Sequence, residues 1–119
     1  MNTPPPANVI ATLVSRNIEL ISFGKYIAHL TLDSEDRLSI ACPFRFDLSA
    51  SIMDAPVQEF PLSSSTLLRI IGRSIEHAEC ESDGTLQIRF NNGDSLIAYA
   101  NDPNYEAYTL FINRVEYVV

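Results

Sequence analysis

Shifted by 48 residues, the sequence matches itself. Leu20, Gly24, Ile27, His29, Ser34, Leu38 and Ile40 fall on Leu68, Gly72, Ile75, His77, Ser82, Leu86 and Ile88. Lys25/Arg73, Asp33/Glu81 and Glu35/Asp83 add conservative matches. A fixed-period likeness constrains a fold before any single element does, and two copies are too few for a solenoid. The expectation is two related β units, 20–40 and 68–88, sharing one core. Any two hairpins share glycines, turn acids and alternating apolar residues, so convergence is the alternative; the matched histidines argue against it.

Each copy reads as a hairpin. In the second, Arg73–Glu81 leads to the turn Ser82-Asp83-Gly84, and Thr85–Asn91 then alternates, with Leu86, Ile88 and Phe90 on one face. Asp-Gly suits a tight turn because both residues tolerate positive φ. Asn91-Asn92-Gly93-Asp94 turns the chain again into a strand over Ser95–Ala100. In the first copy, Tyr26–Leu32 turns at Asp33–Asp36 into Arg37–Cys42, and Pro43, with no N–H to donate, ends regular pairing.

Between the copies the sequence predicts a short helix: Ser63-Ser64-Ser65-Thr66 offers caps, Leu67, Leu68, Ile70 and Ile71 form an apolar run, and Gly72 stops it. Asn8–Ser15 is apolar and fits helix or strand, and Ala50–Gln58 reads as a loop. After the turn Asp102-Pro103-Asn104, Tyr105–Ile112 and Arg114–Val119 read as strands. If the last is an edge, Val118-Val119 invites cover by another chain. The fold class expected is therefore mainly β (α+β): two pseudo-repeated antiparallel hairpin units packed as one sheet or a small barrel or sandwich, with one or two short helices. Residues 1–7, rich in proline, are expected to be disordered, and 8–119 to form a single domain.

Composition narrows the function classes. The chain has 119 residues, 46% of them apolar, with 8 Lys+Arg against 15 Asp+Glu, a net charge of −7. That is too apolar for a disordered chain, and no run is long enough for a membrane span. The start lacks a signal peptide's basic and apolar regions. Clustered Lys and Arg, the source of polyanion affinity, are missing, so nucleic acid is not an expected partner. Only Cys42 and Cys80 are present, which points to a reducing, cytoplasmic compartment and to buried, inert thiols.

No catalytic or metal signature emerges. His77 and Cys80 stand three apart on a strand, so their side chains point to opposite faces, and His29 and Cys42 have the same parity problem. The repeated histidines read as structural. No cofactor and no metal are expected, and the chain is not expected to be an enzyme.

The placement of charge is more informative than its sum. From Glu76 to Glu106 there are seven acids and one base, Arg89, so this stretch alone nets −6. Such a field attracts a basic partner and speeds association. The candidate partner-binding residues are Glu79, Glu81, Asp83, Asp94, Asp102 and Glu106, with Tyr99, Tyr105 and Tyr108 as aromatic anchors.

Ile71-Gly72-x-x-Ile75, then Asp83-Gly84-x-Leu86-x-Ile88-x-Phe90-x-x-Gly93-x-x-Leu96, then Asp102-Pro103-x-Tyr105-Glu106-Ala107-Tyr108 resembles a pattern in small acidic bacterial proteins. Several of these are thought to be immunity proteins encoded beside polymorphic or contact-delivered toxins. The resemblance covers roughly residues 70–110 and implies binding rather than catalysis, with a cognate, basic toxin as partner. The alternative expectation is a scaffold protein that forms a homodimer or larger homo-oligomer through an exposed β edge.

Overall fold

A computed structural model describes residues 3–49, 56–62, 66–102, 104 and 106–119. The chain begins with a short helix α1 (Ala7–Ala11), followed by strands β1 (Ile18–Phe23), β2 (Ala28–Leu32), β3 (Arg37–Ile40) and β4 (Phe44–Asp47). A 3-10 turn at Asp33–Glu35 joins β2 to β3, and after a second, Leu67–Ile70, come β5 (Ile75–Cys80), β6 (Leu86–Phe90), β7 (Ser95–Ala98), β8 (Tyr108–Ile112) and β9 (Val115–Val118). They form two antiparallel sheets, ordered β1-β2-β3-β8-β9 and β4-β7-β6-β5, which share one hydrophobic core. The mainly-β expectation holds, as a two-sheet sandwich rather than a closed barrel.

Alternation explains which faces meet. Leu30 pairs with Leu38, which pairs with Leu110, and all three are buried. In the other sheet, Leu96 lies between Phe46 and Ile88, again all buried. A side-chain period of two sends each such row to the same face, so stacking the sheets removes these rows from water together. Each fully buried Leu, Ile or Phe contributes on the order of 1.5–3 kcal/mol.

The sheets are joined along two lines. On one side, Asn17 bridges Ser74, while Ile18 N–H donates to Arg73 O (2.9 Å) and Gly72 N–H to Ile18 O (2.7 Å). Gly72 sits at φ +82°, a conformation that Cβ-bearing residues resist. On the other side the chain itself crosses from β3 to β4 through Ala41-Cys42-Pro43.

The repeat survives only as a hairpin. β2–β3 and β5–β6 are the matched units, but they lie in different sheets. His29 faces Ser39, whereas His77 faces Arg89, two residues beyond the position that the 48-residue shift would give. Residues 20–22 are strand in the first copy, and their counterparts 68–70 lie in the second 3-10 turn. That turn replaces the expected helix. Its apolar run is short and rich in β-branched residues, and Gly72 ends it before an α-helix can repay its nucleation cost. Leu67 and Ile70, three apart, are both buried, and Leu68 and Ile71 face solvent. The proposed caps Ser63, Ser64 and Ser65 lie outside the described residues.

β1 and β4 were not anticipated as strands. Asn8–Ser15, ambiguous by sequence, overlaps α1, whose Val9 and Ile10 are buried. Within the stretch expected to be disordered, Pro5 is buried and lines a cleft with Pro4 and the edge of β5.

Candidate functional site

The crossover Ala41-Cys42-Pro43 lines a concavity. Ala41 N–H donates to Ala107 O (2.9 Å), which holds the lead-in to β8 beside the first sheet. Tyr99 N–H donates to Pro43 O (3.1 Å), which holds the exit from β7 beside the second. The two segments flanking the crossover thus leave with different sheets, and a groove of about 850 Å³ opens between them. Its apolar floor includes Ala41, Cys42, Pro43 and Ala107.

Its walls are acidic and aromatic. Glu59, Asp102 and Glu106 supply carboxylates, and Tyr26, Phe60 and Tyr99 supply rings. Glu59 and Phe60 are brought in by the bridge between Gln58 and Phe44, which exchange two backbone hydrogen bonds of 2.7 and 3.0 Å. Phe60 also packs on Phe44, with ring centroids 5.8 Å apart. Tyr26 stands on the turn between β1 and β2, and its ring already carries the Lys25 ammonium 5.4 Å from its centroid. No Arg, Lys or His is among the described residues that line the groove.

Of the candidates expected from sequence, Tyr99, Asp102 and Glu106 meet in this groove. Glu81 and Asp83 lie on the exposed β5–β6 turn. That turn leans on the same part of the molecule, because Ala100 N–H donates to Thr85 Oγ1 (3.1 Å) and Ala100 lines the groove. Glu79 is apart from it, on β5, with its carboxylate 3.2 Å from His77 Nε2; Glu79 and Glu81 border the smaller cleft of about 430 Å³ near Pro4 and Pro5.

Two candidates are corrected by burial. Asp94 is fully buried: its carboxylate accepts from Ser49 N–H (2.9 Å), Arg69 Nε (3.2 Å) and Asn92 Nδ2 (2.9 Å), so it anchors the β6–β7 turn and faces no partner. Tyr108 is 1% exposed, because β8 alternation turns it inward with Leu110 and Ile112. Tyr105 lies outside the described residues. Tyr26, Glu59 and Phe60 were missed: they sit in turns and connections, where no periodicity marks which side chains converge.

The thiols and histidines occupy supporting positions. Burial pushes the Cys42 thiol up to about 12, so it stays neutral beneath the carboxylates. Cys80 is half-buried, its thiol raised by burial, and touches the Tyr108 hydroxyl at 3.5 Å. His29 Nδ1 lies 2.7 Å from Ser39 Oγ on the half-buried outer side of the five-stranded sheet. Among the described residues, no group of three or more His, Cys, Asp or Glu is placed to hold a metal, and no helix is long and apolar enough to cross a membrane.

Comparison with known proteins places the chain in one family. Residues 9–119, nearly its whole length, match the family described as "Family of unknown function (DUF6188)", and the chain belongs to it. No curated protein and no solved structure shows a significant match.

Proposed function

We propose that this chain is a non-catalytic immunity protein of the bacterial cytoplasm, which binds and neutralises a basic toxin through its acidic end. The observation that carries this reading is the groove, where three carboxylates and three aromatic rings border an apolar floor. Aromatic anchors in a desolvated recess supply most of an interface's affinity, while surrounding charges set association rate and partner choice. Glu81 and Asp83 extend the negative field beyond the groove, and such a field raises association rates by roughly 10- to 1,000-fold at low salt.

The test is co-expression with the product of the adjacent gene, with growth and tagged co-purification read together. Rescue of growth with a stoichiometric complex supports the proposal. A harmless neighbour that does not bind removes it.

A second reading has its own observation. β9 pairs with β8 alone and shows Val115 and Val118 to solvent, each nearly half exposed. An unpaired edge with apolar side chains is a surface on which a second copy of the chain could add strands. Solution mass that rises with concentration, with no foreign partner present, would favour this scaffold reading.

A further inference from the structure

We infer that the groove is an arginine receptor, taking the side chain of one arginine that the partner presents. This rests on the binding reading above and names what the partner must offer. The chain's own arginines show how its carboxylates are ordinarily neutralised. Arg16 pairs with Asp33 and Asp36, Arg45 with Asp47, Arg69 with Asp94, and Arg89 with Glu76, while Arg37 lies over the Phe111 ring. None of these ion pairs involves Glu59 or Glu106, which face the groove.

Three features of the groove match the three parts of an arginine side chain. The floor at Ala41, Cys42, Pro43 and Ala107 is apolar and its thiol uncharged, which suits the methylene stem. Tyr99 offers a ring for the planar guanidinium, and Tyr26 a second, from which the guanidinium displaces the Lys25 ammonium. Glu59 and Glu106 supply acceptors at the rim, beside Asp102, whose carboxylate accepts from Asn104 N–H (3.0 Å). A guanidinium uses all of these at once, since it stacks flat, donates in several directions and sheds water more readily than an ammonium. Lysine supplies charge without the planar face.

The experiment titrates the full, ¹⁵N-labelled chain with Nα-acetyl-arginine amide and follows backbone amide shifts. The citrulline and lysine amides serve as the neutral and ammonium comparisons. The expected result is saturable shifts at Ala41, Tyr99, Ala100, Asn101, Glu106 and Ala107, with millimolar affinity on the order expected of so small a ligand. Citrulline amide should give none, and lysine amide should bind at least threefold more weakly. Glu106→Gln and Tyr26→Leu, both at exposed positions, should each weaken arginine binding by roughly three- to tenfold. Their unperturbed spectra elsewhere would show that the fold is kept.

Absent shifts, shifts centred outside the groove, or equal responses to citrulline or lysine would overturn the inference. Its failure is separable from that of the proposed function. A silent groove beside an intact toxin complex removes the arginine receptor alone. Arginine binding without any complex removes the immunity reading alone.

Discussion

The Tyr108 hydroxyl donates a 2.6 Å hydrogen bond to the Gly84 carbonyl, both groups being buried. Tyr108 belongs to β8 of the five-stranded sheet, and Gly84 to the turn between β5 and β6 of the other sheet, so one phenol ties the two layers together. Removing only its oxygen leaves a buried carbonyl short of a donor. Cys80 Sγ, 3.5 Å from the Gly84 carbonyl oxygen, is a weak substitute donor. Tyr108→Phe should therefore lower stability by about 1–2 kcal/mol, read from the midpoint of urea unfolding at unchanged slope.

Asp94 makes a second prediction. Its carboxylate is fully buried and holds Ser49, Arg69 and Asn92 at once. Asp94→Ala strands the Ser49 N–H and frees Arg69, at a cost of about 3 kcal/mol. Equilibrium unfolding measures that loss. Because Asp94 faces no partner, association with a basic protein should keep its rate in any variant that remains folded.

Much of this fold was legible in the sequence. Alternation at Leu86, Ile88 and Phe90, and the turns at Asp83-Gly84 and Asn92-Gly93, specified the β5–β6–β7 meander, because period and turn chemistry are local properties. β4 was not legible, since Pro43 ends the pairing of β3 while the chain immediately re-pairs in the other sheet. Asp94 and Tyr108 show the same limit from the site's side. An acid or a tyrosine in an acidic, aromatic stretch looks available until a third dimension supplies Arg69 or Gly84. The groove itself is assembled from residues near 26, 42, 59, 99 and 106, and no local pattern encodes such a meeting.

Acid should loosen the corner where Arg16 meets Asp33 and Asp36. The hydrogen bond from Arg16 holds the Asp33 carboxyl below its ordinary range. A group whose folded pKa is depressed contributes stability that is present above its unfolded value. That stability is lost as pH falls through the folded one. Stability should thus decline from about pH 4 downward, and Asp33→Asn should flatten that part of the profile, measured as unfolding midpoint against pH.

The two thiols should separate by reactivity. Cys42, pushed up to about 12 by burial and only 6% exposed at the groove floor, remains a protected thiol at pH 8. Cys80 is half-buried on the edge strand β5. Iodoacetamide followed by mass spectrometry should show Cys80 modified slowly in the folded chain, and Cys42 modified only after denaturation.

Stopped-flow association with the purified product of the adjacent gene tests most directly whether the acidic groove receives a basic protein. Wild-type chain should associate quickly and at a rate that falls steeply with salt. The double variant Glu59→Lys/Glu106→Lys should associate at least tenfold more slowly at low salt, with the salt dependence much reduced. An association rate that the double variant leaves unchanged, or the absence of any complex with wild type, would contradict the account.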